Sequence, residues 1–209
     1  MSADTTPVAL FDFDGTLTIG DTLMPFLRFV VGKPVYYSKL LMLSPVLAGY
    51  LAGVVRNDIA KQIVLRGYLG GFPVDRLVQQ GDAFSERVIP RMERPQGMER
   101  LAWHQRQGHR CILVSASLDI YLQRWARERG LALALTSSLQ VNDNGLVQGR
   151  LQGANCFGEE KVSRVRQALA DTRPEKIYAY GDTRGDMPML RFADEGYLWS
   201  PGQKAFLPV

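Results

Sequence analysis

The sequence predicts an α/β fold, a doubly wound parallel sheet with an all-helical cap inserted after its first strand. Short apolar runs of strand length recur as Val8-Ala9-Leu10-Phe11, Cys111-Ile112-Leu113-Val114 and Ile177-Tyr178-Ala179-Tyr180, and helical spacing fills the chain between them. Each run passes directly into small or charged polar residues, and ligands of such sheets bind outside the carboxyl ends of the strands. The first two runs are separated by a stretch of helical pattern with no strand signal. At 209 residues the chain can bury a full core and hold one domain with an insertion. The predicted boundaries place the core at 1–18 and 96–209 and the cap at 19–95.

Val8 to Phe11 reads as a buried parallel strand. The most apolar stretch follows, Val35 to Val55, interrupted by Lys39, Pro45, Gly49 and Gly53. It is long enough to span a bilayer. A span there would leave Asp12 on one side and Ser115, Lys161 and Asp182 on the other. Two expectations survive: buried cap helices divided at Pro45, or a hairpin dipping into one leaflet. Ile59, Ile63, Val64 and Tyr68, then Val74, Leu77 and Val78, continue the helical pattern, so the cap is read as about four helices.

Pro90 and Pro95 mark the return to the core, and a helix through Met98, Leu101 and Ala102 ends near Gly108. The strand Arg110 to Val114 follows. The next helix is read as opening at Ser117, with Leu118, Tyr121, Leu122 and Trp125 on one face and its stop at Gly130. Leu139-Gln140-Val141 and Leu146-Val147, joined by Asn142-Asp143-Asn144-Gly145, form a hairpin that looks like a digression from the main sheet. A helix from Glu159 to Ala170, a strand from Lys176 to Tyr180, a helix capped by Asp186 and a last strand from Gly196 to Trp199 complete the pattern.

The chemistry gathers at Asp12-Phe13-Asp14-Gly15-Thr16. A period of two puts Asp12 and Asp14 on one side of the chain, where their repulsion calls for a cation or a shared proton. Gly15 lets the backbone turn so that its N–H groups face an anion. Taken alone, the pair also reads as a strand-ending turn. Three further elements lie at the predicted sheet edge: Ser115 after its strand, Lys161 after Gly158-Glu159-Glu160, and Gly181-Asp182-Thr183-Arg184-Gly185-Asp186 after the third apolar run. Singly, Ser115 suits a helix cap and Lys161 a solvated first turn. Asp182 is harder to explain that way, because an acid directly after an apolar strand needs a partner.

Together these segments resemble the haloacid dehalogenase superfamily of hydrolases, in the branch similar to phosphoserine phosphatase. The resemblance implies a Rossmann-like core and a magnesium-dependent phosphomonoester hydrolase working through an aspartyl-phosphate. It implies Asp12 as nucleophile and Asp14 as general acid and base. Asp12, Asp14 through its backbone carbonyl, and Asp182 would hold Mg2+, with Asp186 orienting them. Gly15, Thr16, Ser115, Ala116 and Lys161 would surround the phosphate, and Arg184 is a candidate substrate contact. Asp21 stands where phosphoserine phosphatases usually place a longer glutamate, which argues against phosphoserine. The cap's apolar, basic first half, with Tyr180 to Asp186 and Gly158 to Lys161, also resembles the phosphatidylglycerophosphatase branch.

Charge bears on the substrate. The net charge is +4, and between Ile19 and Pro95 ten Lys and Arg stand against six Asp and Glu, so the basic excess belongs to the cap. Between Arg28 and Arg66 the only acid is Asp58. Such a segment suits a phosphorylated lipid or lysolipid, or peripheral contact with an anionic membrane; a soluble metabolite phosphate and a phosphotransferase are the alternatives. No interleaving of aromatic and basic residues points to nucleic acid. Cys111 and Cys156 have no disulfide or zinc spacing, and Met1 to Pro7 lacks a signal-peptide pattern. The expectation is a cytoplasmic protein, with attachment to the inner face of the membrane as its variant. His104 and His109 are read as surface residues.

Overall fold

The computed structural model describes residues 4–209; Met1 to Ala3, part of the stretch read for targeting, lie outside them. The core is a seven-stranded sheet in the order β4-β3-β2-β1-β5-β6-β7. Its strands are β1 (Val8–Phe11), β2 (Arg110–Leu118), β3 (Leu133–Val141), β4 (Val147–Gln152), β5 (Ile177–Gly181), β6 (Glu195–Ser200) and β7 (Ala205–Pro208). The five strands from β3 to β6 in that order run parallel, while β4 and β7 add antiparallel edges.

β1 lies at the centre because every side chain in it is apolar and buried. Val8 and Leu10 pack with Ile112, Val114 and Ala179 under α7 (Glu159–Ala168) and α8 (Met187–Phe192). Ala9 and Phe11 face the other side, toward α5 (Pro95–Arg106) and α6 (Asp119–Glu128). A strand buried on both faces has no use for polar alternation, hence the unbroken apolar run.

Between β1 and α5 come α1 (Leu23–Val31), α2 (Lys33–Leu51), α3 (Asn57–Leu69) and α4 (Val74–Arg87), which are the predicted four helices. Phe26, Leu65, Tyr68, Leu77 and Phe84 from these helices share one apolar cluster with Phe13, Tyr121, Leu122 and Trp125. The inserted helices therefore lean on the sheet layer through a continuous core.

Several sequence expectations are corrected. Residues 35–55 form neither two helices nor a hairpin: α2 runs unbroken through Pro45. Proline deprives the Leu41 carbonyl of its usual helical donor, and the Ser44 hydroxyl supplies one instead at 2.7 Å. Nor is α2 a buried helix, since Tyr36 is its one fully buried residue. No helix of the described residues is long and apolar enough to cross a membrane.

β2 continues through Ser117 to Leu118, and α6 starts two residues later than Ser117. The hairpin is part of the main sheet, because β3 begins at Leu133 and pairs with β2 before turning to β4. It also props the cap: the Val147 N–H donates to the Phe72 carbonyl, and the Gly71 N–H donates to the Val147 carbonyl, at 2.9 and 2.8 Å. β7 was not anticipated, because it is short, ends at Pro208 and has no period of its own. His104 is fully buried rather than at the surface, wedged between Tyr180 and His109.

Candidate active site

β1 delivers two carboxylates to the carboxyl edge of the sheet and then sends them apart. The Asp12 N–H still donates to the Tyr180 carbonyl at 2.9 Å, so the chain is tethered to β5 as it leaves the strand. The Asp12 side chain is buried; Oδ1 accepts from Lys161 Nζ at 2.5 Å and Oδ2 from the Thr16 hydroxyl at 3.2 Å. Asp14 turns toward the inserted helices. Its Oδ1 accepts the N–H and hydroxyl of Thr22 at 2.8 and 2.6 Å, and its Oδ2 accepts the Ser117 hydroxyl.

Lys161 comes from the first turn of α7, where it is fully buried, and bridges Asp12 to Asp186 Oδ1 at 2.6 Å. The other oxygen of Asp186 accepts the N–H groups of Asp182 and Thr183 and the Thr183 hydroxyl, at 3.2, 3.0 and 3.0 Å. Asp186 thus fixes the loop that carries Asp182. It stands at the N-cap position of α8, as expected, but its carboxylate serves the Asp182 loop and makes no side-chain cap bond to that helix. Ser115 is buried, and its oxygen accepts the Ser117 N–H at 3.0 Å.

The charges are unequal in cost. Burial alone would lower the Lys161 pKa, but Asp12 and Asp186 outweigh it and hold the ammonium protonated. Burial, with the charge of Asp186, pushes Asp12 up against the pull of Lys161. Burial also opposes the charge on Asp186, yet Lys161 and the loop N–H groups bring its pKa below the ordinary value. Asp14 is raised to about 6 by burial and by Asp21, and Asp182 to about 7 by burial and by Asp186. Two acids of one site therefore titrate near neutrality, the pattern of groups tuned to hold a proton or a cation.

One oxygen each of Asp12, Asp182 and Asp186 lie within 4.8 Å of one another, a set of hard donors that fits a divalent cation. Gly15 makes room for this. Its φ is +79°, and a Cβ there would lie 1.9 Å from Asp182 Oδ2. Any other residue would displace the acid. The expected share of Asp14 in such a site is its backbone carbonyl, which leaves its carboxylate to Thr22 and Ser117.

Two cavities meet at Asp14. One, of about 410 Å³, lies between the inserted helices and the core, walled by Leu23, Met24, Leu47, Tyr50, Val64 and Phe157, with Asp14, Asp21, Lys61, Ser117 and Asn155 as polar lining. The other, of about 830 Å³, opens past Gly15, Asp182, Arg94 and Trp199. Asp21 is exposed and lines both. Arg184 does not reach them; it is exposed and lines a depression between α7 and α8.

Sequence reasoning missed Thr22, Ser117, Lys61 and Arg94. Lys61, from α3, donates to the Ala116 carbonyl at 2.5 Å and to Asn155 Oδ1 at 2.8 Å, and burial lowers its pKa to about 8. Arg94 Nε donates to the Gly15 carbonyl at 3.1 Å. Ser117 had a signal, its two-residue offset from Ser115 on a strand, but was assigned to the helix. The others carry no local pattern.

The comparisons agree with this geometry. The haloacid dehalogenase-like hydrolase family matches residues 9–191. Protein CicA of Caulobacter vibrioides is 36% identical over 197 residues, covering 93% of this chain and 87% of CicA. A crystal structure of a protein of unknown function from Bordetella pertussis Tohama I superposes with a TM-score of 0.79 at 26% identity, covering 95% of this chain and 93% of that one. A phosphoserine phosphatase solved as a phospho-aspartyl intermediate analogue shares the fold, with a TM-score of 0.60 at 19% identity over 93% of this chain and 85% of its own. With Asp12, Asp14, Lys161 and Asp182 gathered at one sheet edge, the chain belongs to the haloacid dehalogenase-like hydrolases.

Proposed function

We propose that the chain hydrolyses phosphate monoesters through a covalent phosphate on Asp12, and that its substrate is a phosphorylated lipid or lysolipid met at an anionic membrane surface. The observation that carries the chemistry is the division of labour between the two acids. Asp12 touches the Lys161 ammonium, whose charge favours an ionised oxygen there against the upward push of burial and Asp186. Asp14 instead touches the Thr22 N–H and the hydroxyls of Thr22 and Ser117, beside the charge of Asp21, and is raised to about 6. A nucleophile needs an ionised oxygen, and an acid needs a proton to give.

An oxygen of Asp12 attacks phosphorus, and the bond to the leaving oxygen breaks. Asp14 gives its proton to that oxygen, releasing the alcohol. Water then attacks the same phosphorus, Asp14 takes the water's proton, and inorganic phosphate leaves with the Asp12 carboxylate restored. Lys161 balances the charge, while Gly15, Thr16, Ser115 and Ala116 surround the phosphoryl oxygens. Mg2+, held by Asp12, Asp182 and the Asp14 carbonyl with Asp186 orienting them, would neutralise the anionic phosphoryl group.

The apolar wall of the 410 Å³ cavity supports the lipid reading, because an acyl chain can lie against Leu23, Met24, Leu47 and Val64 while its phosphate reaches Asp14. A small soluble amino-alcohol phosphate is the second reading. The exposed carboxylate of Asp21, which lines both cavities, favours it by offering an ammonium partner.

Asp12→Asn and Asp14→Asn test the roles with magnesium present. Asp12→Asn should lower turnover by several orders of magnitude on every ester, since an amide is a poor nucleophile. Asp14→Asn should impair alkyl phosphates far more than aryl phosphates, whose alcohols leave without help. Equal losses on both esters would remove Asp14 as the acid. Release of one inorganic phosphate per ester consumed separates hydrolysis from phosphotransfer.

A further inference from the structure

The side of α2 that faces away from the other helices has no charged residue on it. From Pro34 to Val55 the one charge is Lys39, and it is turned inward, donating to the Gly67 carbonyl at 2.7 Å. Tyr36, Leu40, Leu43 and Leu47 pack into the cap core. Away from that stripe Leu41 and Met42 are 76% and 77% exposed, and at the carboxyl end of the helix Leu51 and the following Val54 are 83% and 81% exposed. A helix apolar on every face belongs inside a protein or in lipid. An apolar face of this kind marks an interaction site rather than ordinary surface.

Its flanks identify the partner. Lys33 opens the helix, Arg56 follows its end, and Arg28 stands exposed on α1. The one acid in this stretch, Asp58, is 2.9 Å from Arg56. Lys33 and Arg28 at one end, with Arg56 paired to Asp58 at the other, leave cations in excess around the apolar residues, which matches a surface of anionic headgroups over hydrocarbon. A second copy of the chain matches less well, because it would bring the same cationic excess against itself. A bilayer span is excluded by length and composition.

We propose that the exposed apolar residues of α2 and of its carboxyl end, Leu41, Met42, Leu51 and Val54, insert into one leaflet of an anionic phospholipid membrane. The same helix contributes Leu47 and Tyr50 to the wall of the cavity that reaches Asp14. Docking on α2 sets the cavity beside the lipid layer, so an amphiphilic phosphate ester enters without its tail crossing water. The inference takes its purpose from the lipid-phosphate reading, but vesicle binding is measured without turnover, so either can fail alone.

The experiment is co-sedimentation with vesicles of phosphatidylglycerol and phosphatidylcholine, and of phosphatidylcholine alone, at low and high salt. The wild type should bind the anionic vesicles, and binding should weaken with salt. Leu41→Asp with Leu51→Asp, neither lining a cavity, should weaken binding by about ten-fold or more. The double variant should keep its turnover of a soluble aryl phosphate, which reports the fold. Absence of binding by the wild type, or equal binding by the variant, overturns the proposal. So does a wild type that is dimeric by light scattering and made monomeric by the two aspartates, since the face then serves a second copy.

Discussion

Lys161 sets the charge balance of the site. One buried ammonium lies between two buried carboxylates, so its removal would strand both. The sequence named this lysine because three other polar strand ends pointed to one place, although alone it resembles any first-turn lysine. His104 shows the opposite case. Its ring reaches Tyr180 at 2.9 Å and His109 at 2.8 Å, and Tyr180 lies 76 residues away, a partnership no local pattern announces. Burial, with His109 beside it, lowers the pKa of His104 from 6.5 to about 4. The folded protein keeps this ring neutral while the unfolded chain binds a proton below pH 6.5. The stability it preserves is present above that pH and lost as pH falls through 4, by about 3 kcal/mol at most. Urea unfolding at pH 7 and pH 5 should show a loss on acidification that is smaller in His104→Gln, which can still hydrogen-bond but does not titrate. An equal loss in both proteins would rule out His104 as a source.

At the scale of elements, α3 is joined to the end of β2 by Lys61, whose ammonium holds the carbonyl between Ser115 and Ser117. Ser117 in turn donates to Asp14, so the cap and the acid are linked through one short stretch of backbone. No local pattern announces this link, because a lysine on a helix of mixed polarity normally faces solvent, and its acceptors lie 55 and 94 residues away. The reading of α2 also failed at the level of the element. Proline inside a helical run predicts a break, whereas Ser44 restores the missing donor and the helix continues. Lys61→Met should destabilise the protein by about 1–3 kcal/mol, because the Ala116 carbonyl and Asn155 lose a buried donor. It should also lower kcat/KM on an aryl phosphate, with Lys61→Arg recovering part of both losses. Unfolding and kinetics that match the wild type would show that the bridge has no consequence.

At the scale of the whole molecule, alternation of strand and helix was legible because strands buried on both faces are written as unbroken apolar runs. The site was legible for a related reason: its residues follow those runs directly, so the sheet brings them together whatever the loops do. Residues supplied by the inserted helices were not legible, since packing across elements fixes them. One apolar core joins these helices to the sheet, and the cavity that reaches Asp14 lies along that joint. The central claim is that Asp12 carries the phosphoryl group during turnover. Quenching the enzyme in acid during hydrolysis of an aryl phosphate, then reducing with borohydride and sequencing the peptides by mass spectrometry, tests it directly. An acyl phosphate at Asp12 is reduced to homoserine, so the account expects homoserine at position 12, dependent on substrate and magnesium and absent from Asp12→Asn. Aspartate left intact at position 12 under rapid turnover, or modification of a different residue, would contradict it.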